Sequence, residues 1–272
     1  MKQQVKNIEK ILRGIYDHDY YSVVRDFFEM SAISIRNAVD YTAKRDEYES
    51  RYLQIAKSYS KEQLAIFAQA LGVFINTLKD AVDGKDSFYD WAGELYINSE
   101  TNNKNLGQFF TPYHISQLMA KITIDGEEIK RRIAADPDTV ITINEPTCGA
   151  GGIIVAAIDT LNRYGINYAY NTFVDCTDID SNCVYMTYLT LSLLGVPAVV
   201  RHGDSLMMRY YSHWYTPAYI FACSHFNRRL RQGNYPYTPT VQKVEDKPQK
   251  APQKAIEQPK ADKTGQYVIN FF

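Results

Sequence analysis

The sequence has 272 residues, 45% of them hydrophobic, which is enough for one large or two modest domains with a real core. Its net charge of −1 excludes a chain that holds nucleic acid by bulk charge alone. The four cysteines (148, 176, 183 and 223) do not have the spacing of zinc ligands, so no metal site is predicted. Free thiols in a sequence without a signal peptide favour a cytoplasmic protein. No apolar run is long enough to span a membrane, so no membrane contact is predicted.

Residues 1–97 are predicted to form an all-α N-terminal domain. Ser60 is followed three residues later by Gln63, a capping box that predicts the start of a helix. Apolar residues then recur at i, i+3, i+4 and i+7 until Gly84 ends the helix. We expect this helical layer to pack on the next domain, and such a layer can also contact DNA or a partner subunit.

The next segment changes abruptly from polar to aromatic. An Asn-rich stretch leads into residues 107–112, which read Gly-Gln-Phe-Phe-Thr-Pro. A helix over 114–122 is predicted to follow, with Thr111 as its N-cap and Pro112 in its first turn. The segment is either a capped linker between domains or a loop that delivers these side chains to a ligand.

Residues 98–232 are predicted to form an α/β domain. Strands alternate with helices, which implies a parallel, doubly wound, Rossmann-like sheet of about four strands with right-handed crossovers. The predicted strands are 140–144, 172–177, 198–201 and 218–222, and helices are predicted at 152–164 and 181–194. Ligands of such sheets lie beyond the carboxyl ends of the strands.

A glycine-rich turn joins the first strand to its helix. Residues 145–152 read Glu-Pro-Thr-Cys-Gly-Ala-Gly-Gly. A strand, a glycine turn and a helix in this order are typical of a cradle for a nucleotide-type cofactor. Gly149 and Gly151 allow the positive φ values of a tight turn and let a ligand approach bare backbone.

Acidic residues follow the second and third strands. Asp178 is placed to accept hydrogen bonds from both hydroxyls of a ribose, whereas Asp180 is predicted to cap the next helix. Asp204 is placed to accept a hydrogen bond from an adenine amino group. Two acids disfavour nearby phosphates and suit a cationic nucleoside such as S-adenosylmethionine. The chain also lacks the G-x-G-x-x-G spacing of dinucleotide folds, which makes NAD a weaker candidate.

These motifs, in this order and spacing, resemble those of N6-adenine DNA methyltransferases, specifically the modification subunits of type I restriction systems. The resemblance implies a truncated S-adenosylmethionine-dependent methyltransferase sheet that acts on DNA, with a specificity subunit or a second methyltransferase subunit as possible partner. In the resemblance, 108–112 and 147–151 surround the methionine part of the cofactor. The implied cofactor-binding residues are Gln108, Phe109, Phe110, Thr111, Pro112, Glu145, Thr147, Cys148, Gly149, Gly151, Asp178 and Asp204.

The family's catalytic motif, Asn or Asp followed by Pro-Pro and Tyr or Phe, is missing from its expected place. The chain contains no Pro-Pro pair, and the motif position after the predicted fourth strand holds Cys223, Ser224, His225 and Phe226. In the family, two carbonyl groups of the motif bind the adenine amino group and the flipped base stacks on its aromatic residue. The chain is therefore either a methyltransferase that needs a partner, or a catalytically silent relative that binds cofactor or DNA and modulates a restriction or modification complex.

Residues 233–272 are predicted to form a tail. The segment is rich in Pro, Lys and Gln and is expected to be disordered up to the apolar peptide 266–272. We expect this peptide, or a partner chain, to cover the open edge of the predicted fourth strand. The peptide from Gln266 to Phe272 also resembles sliding-clamp-binding peptides, which makes a sliding clamp a second candidate partner.

Overall fold

The computed structural model describes residues 2–40, 42, 44–99 and 110–222, and the backbone of residues 267–270. Within these residues, seven helices precede the first strand, and the first five begin in the predicted helical region. The seven are α1 (Gln3–Leu12), α2 (Tyr20–Val39), α3 (Lys44–Ala56), α4 (Lys61–Val82), α5 (Trp91–Ser99), α6 (Tyr113–Thr123) and α7 (Gly126–Ala135).

Helix α4 begins at the predicted capping box. The Ser60 hydroxyl accepts the backbone N–H of Gln63 at 3.2 Å, and the Gln63 side chain accepts the backbone N–H of Ser60 at 2.7 Å. Gly84, with φ of 72°, follows the last turn. The capping box satisfies two N–H groups that would otherwise lack a partner.

Replacing Ser60 with alanine is expected to lower the free energy of unfolding by about 1 kcal/mol, because one N–H group at the helix start loses its partner. Urea denaturation followed by circular dichroism measures the change. Ser58→Ala is the control, since Ser58 is exposed and its hydroxyl makes no hydrogen bond with a described residue. Equal stability of the two variants would contradict the expectation.

Helix α4 is also long and apolar enough to cross a membrane, the one such helix among the described residues. This property was not predicted from the sequence. It is weak evidence, because the core helix of a soluble protein passes the same test. Phe67, Phe74 and Leu78 of α4 are buried in the hydrophobic core of this chain.

The α/β part confirms a parallel sheet for the first three strands. Strands β1, β2 and β3 pair in parallel, and the order across the sheet is β4-β3-β2-β1-β5. The elements are β1 (Ile141–Glu145), α8 (Gly152–Arg163), α9 (Tyr168–Asn171), β2 (Thr172–Asp178), α10 (Ser181–Leu193), β3 (Ala198–Asp204), β4 (Arg209–Tyr215) and β5 (Tyr267–Asn270).

Alternate residues of the strands enter two separate cores. Ile141, Val174 and Val200 belong to the large core, which also holds side chains of α8, α10 and the N-terminal helices. Val199 lies on the opposite face, in a small core with Tyr219. The two-residue period of a strand thus gives the sheet two buried faces.

The predicted strand at 218–222 is wrong, because residues 217–222 are helical. The Thr216 carbonyl accepts the N–H of Ile220 at 3.0 Å, and Pro217 occupies the first helical position, where a missing N–H costs nothing. The next strand is instead β4, which pairs antiparallel with β3. A short apolar run such as 218–222 suits a buried strand and a helix equally well.

The C-terminal peptide covers a different edge from the one predicted. Strand β5 pairs in parallel with β1, and Asn270 stands opposite Asn144. It therefore lies at the edge opposite β4, since β4 already covers the outer side of β3. The predicted sliding-clamp contact stays a prediction, and residues 233–266, 271 and 272 of the predicted tail lie outside the described residues.

Arg36 of α2 joins the helical layer to β4. Its guanidinium is buried, donates a hydrogen bond to the backbone oxygen of His213 at 2.8 Å, and forms an ion pair with Asp40 at 3.0 Å. It also lies 4.7 Å from the ring centre of Trp214. The helices and the sheet therefore share one continuous core.

Candidate functional site

The turn after β1 has the backbone that its glycines predict. Gly149 has φ of 54°, and Gly151, the N-cap of α8, has φ of 88°. A Cβ atom on Gly149 would lie 3.2 Å from the Phe110 ring, and one on Gly151 would lie 3.1 Å from the Thr187 hydroxyl. Both positions therefore need glycine for conformation and for close packing.

Two hydrogen bonds hold this turn against the neighbouring elements. The N–H of Cys148 donates to the backbone oxygen of Thr177 at 2.9 Å. The Thr187 hydroxyl of α10 donates to the backbone oxygen of Gly149 at 2.8 Å. The turn is therefore hydrogen-bonded to both β2 and α10.

Asp178 lies where β2 ends and contacts the glycine turn directly. Its Oδ2 accepts the N–H of Gly149 at 2.8 Å, and its Oδ1 accepts the N–H of Asp180 at 2.9 Å. Burial raises the pKa of Asp178, and these two N–H donors oppose the rise. Asp180 caps α10 as predicted, because it accepts the N–H of Asn182 at 2.9 Å.

A cavity of about 480 Å³ opens at the carboxyl ends of β1, β2 and β3. This is the edge at which ligands of parallel sheets bind. The cavity brings together seven of the predicted site residues. They are Phe110, Thr111, Thr147, Cys148, Gly149, Asp178 and Asp204.

Three other predicted residues are described but do not line the cavity. Glu145 is fully buried behind the turn, and its Oε1 accepts the N–H of Thr147 at 3.1 Å. Gly151 shapes the turn through its φ value. Pro112 lines a neighbouring cavity of about 450 Å³. Glu145 and Gly151 thus act on the cavity through the backbone of the turn.

Thr111 does not cap α6, which corrects the predicted helix start. The N-cap is Pro112, whose carbonyl accepts the N–H of Ile115 at 2.8 Å, and no side chain caps this end. The helix therefore begins at Tyr113, and Thr111 is left to face the cavity.

Several predicted site residues lie outside the described residues. They are Gln108, Phe109, Cys223, Ser224, His225 and Phe226. Within the described residues, no cluster of His, Cys, Asp and Glu is suited to hold a metal ion.

Asp90 lines the cavity from the helical layer and was not among the predicted site residues. The side chain is 8% exposed, and burial raises its pKa to about 6. The available signal was an aspartate three residues before Gly93 at a helix start, which on its own indicates only an N-cap.

The sequence profile of the N-6 DNA methylase family matches residues 86–257, more than half of the chain. The chain belongs to the N-6 DNA methylase family. The matched range contains every described residue of the cavity, from Asp90 to Leu206. The predicted membership of this family is thereby confirmed, and the cofactor-binding roles of the turn, Asp178 and Asp204 stay predictions.

One relative of this chain is a subunit of a type I restriction enzyme. The MpnII methylase subunit of a Mycoplasma pneumoniae type I restriction enzyme is 28% identical over 85 residues, which are 31% of this chain and 13% of that protein. The match therefore spans about an eighth of the relative's length.

Two solved structures are similar at 12% identity. A protein assigned to the class I S-adenosylmethionine-dependent methyltransferases of Listeria monocytogenes has a TM-score of 0.38 and covers 84% of this chain and 67% of its own. A type I restriction-modification methyltransferase subunit of Streptococcus thermophilus has a TM-score of 0.34 and covers 75% and 58%.

Proposed function

We propose that the chain binds S-adenosylmethionine in the cavity and works as an N6-adenine DNA methyltransferase of a DNA modification system, with at least one further subunit. The observation that carries the proposal is the convergence of the positive-φ turn, Asp178 and Asp204 on one cavity. The relatives named as methylase subunits of type I restriction systems support DNA and a second subunit as partners.

The residues of the cavity fit an adenosyl group. Asp178 accepts the backbone N–H groups of Gly149 and Asp180, and its two oxygens keep lone pairs for the hydroxyls of a ribose. Asp204 accepts the N–H of Met207 through Oδ1 at 2.9 Å, and its second oxygen remains for an amino group. Ile179 and Leu206, both exposed at the rim, offer apolar surface to a planar base.

The charge of the cavity selects against a phosphorylated nucleoside. Asp90, Asp178 and Asp204 line it, and no basic side chain is present among its described lining residues. Carboxylates repel phosphates and attract a cation. S-adenosylmethionine is such a cation at its sulfonium, and when bound it would supply the activated methyl group.

The chain's own residues would orient this cofactor. The Thr187 and Asp178 hydrogen bonds fix the turn, so the backbone that approaches the ligand is rigid before binding. Cys148, Cys176 and Cys183 are buried and form no disulfide within the described residues, as expected of the reducing cytoplasm that we propose as the location.

A catalytically silent relative is the second candidate. The 272 residues contain no Pro-Pro pair, and residues 217–222, which precede the predicted motif position, are helical. Such a chain would bind cofactor or DNA and modulate a restriction or modification complex. The two candidates share the cofactor site and differ only in methyl transfer.

Titration calorimetry tests the cofactor site that the two candidates share. We expect S-adenosylmethionine to bind and ATP, which has the same adenosine but a polyanionic chain, to bind at least about tenfold more weakly because of the three carboxylates. Equal affinities, or binding of neither ligand, would overturn the proposal. Mass spectrometry of N6-methyladenine in DNA from cells that express the chain with its partner subunit then separates the two candidates.

A further inference from the structure

Asp90 is a buried carboxylate with one oxygen unused. It directly precedes α5, and its Oδ1 accepts the N–H of Gly93 at 2.9 Å. Its Oδ2 has no hydrogen-bond partner among the described residues, although the side chain is only 8% exposed and lines the cavity. The oxygen is therefore available to a ligand in the cavity, and an N–H donor that replaces water there would gain a charge-assisted hydrogen bond.

Two glycines make room for this carboxylate. A Cβ atom on Gly93 would lie 2.4 Å from Oδ2, and one on Gly152, the first residue of α8, would lie 2.7 Å from it. Real Cβ atoms essentially never approach so closely. The carboxylate therefore lies close between the starts of α5 and α8, where both glycines leave room for it.

Asp90 forms no ion pair with a described residue, although Lys2 lines the neighbouring cavity that Asp90 also borders. Burial raises the pKa of Asp90 to about 6, and the nearby Glu94 adds to the rise. No Lys or Arg lines the cavity among its described residues. Ser116 adds a second unused polar atom, because its hydroxyl is buried, faces the same cavity and has no hydrogen-bond partner.

The position of Asp90 separates it from the adenosyl acids along the turn. Asp178 contacts Gly149, near the middle of the turn, whereas Asp90 contacts Gly152, where α8 begins. S-adenosylmethionine carries two positive groups, the sulfonium and the α-ammonium of its methionine part. Only the ammonium has N–H donors for a carboxylate oxygen.

We propose that Asp90 binds the α-ammonium group of the methionine part of the cofactor and so selects the amino-acid end of the ligand. This inference rests on the proposed S-adenosylmethionine site. It makes the helical layer a part of the ligand site, because Asp90 precedes α5, while the adenosyl acids follow the strands.

The test is titration calorimetry at pH 7.5 with Asp90→Asn, which keeps the cap on Gly93 but removes the charge. We expect Asp90→Asn to lower the affinity for S-adenosylmethionine about 30-fold, because a charge-assisted hydrogen bond is lost. Binding of 5′-methylthioadenosine, which lacks the aminobutyrate, is expected to stay unchanged. Decarboxylated S-adenosylmethionine keeps the ammonium group. The variant is therefore expected to lose as much affinity for it as for the whole cofactor.

Asp125→Asn is the matched control, because exposed Asp125 caps α7 by accepting the N–H of Glu128 at 3.0 Å and does not line the cavity. It is expected to bind all three ligands like the parent. Asp90→Ser, also a good N-cap without charge, replaces Asp90→Asn if the latter unfolds at the assay temperature.

The outcomes separate the two proposals. Equal weakening of S-adenosylmethionine and 5′-methylthioadenosine, or weakening of neither, would overturn the role of Asp90 while leaving the cofactor site in place. Failure of the parent chain to bind any of the three ligands would overturn the proposed function itself.

Discussion

Replacing Asp178 with alanine is expected to weaken the binding of S-adenosylmethionine about 100-fold, as measured by titration calorimetry. The side chain holds the N–H groups of Gly149 and Asp180, and in the proposed site it also accepts from the ribose. Hydrogen bonds to charged groups contribute about 1.5–3 kcal/mol each, and 100-fold corresponds to about 2.7 kcal/mol. Losing the carboxylate removes the ribose contact and loosens the turn together.

Asp180→Asn is the matched control for this variant. Asp180 is two residues away and caps α10, a role that asparagine keeps. The control is expected to bind the cofactor almost like the parent. An unchanged affinity of a folded Asp178→Ala variant would contradict the proposed site.

Replacing Trp214 with alanine is expected to lower the free energy of unfolding by about 3–5 kcal/mol. The indole is 1% exposed on β4 and contacts the rings of Tyr48, Tyr185 and Tyr188 at centroid distances of 4.8, 5.2 and 5.1 Å. The guanidinium of Arg36 also loses one of its two aromatic partners and keeps Tyr48, whose ring centre lies 4.2 Å away.

Urea denaturation measures the loss in free energy of unfolding. Tyr211→Ala is the control, because Tyr211 lies on the same strand and its side chain is 59% exposed. The control is expected to cost less than about 1 kcal/mol. Trp91, buried in α5, remains as a fluorescent reporter of the helical layer. Fluorescence and circular dichroism are expected to report one shared transition, and a small loss or two separate transitions would contradict a continuous core.

Local patterns in the sequence predicted most of the elements that surround the cavity. Strands β1 to β3, the capping box at Ser60 and the helix cap at Asp180 were each readable within a few residues. The φ values of Gly149 and Gly151 were readable for the same reason, since the backbone of a tight turn demands glycine. Parallel strand order then placed Asp178 and Asp204 at one edge.

Other features depended on contacts between segments that are distant in the sequence. The pairing of β5 with β1 joins strands from distant parts of the chain, and Tyr219 of the helix at 217–222 packs against Phe173 of β2. Trp214 of the antiparallel β4 packs against Tyr48 of α3. Aromatic and short apolar runs suit more than one element, so composition cannot choose among them.

The contact between Asp90 and Gly152 is the clearest example of a feature that the sequence alone does not predict. As sequence, Asp90 is a residue at a helix start and Gly152 is one of several turn glycines. The cavity acquires its third carboxylate only when the helical layer packs on the sheet, because a packed core brings together groups that have no local interaction.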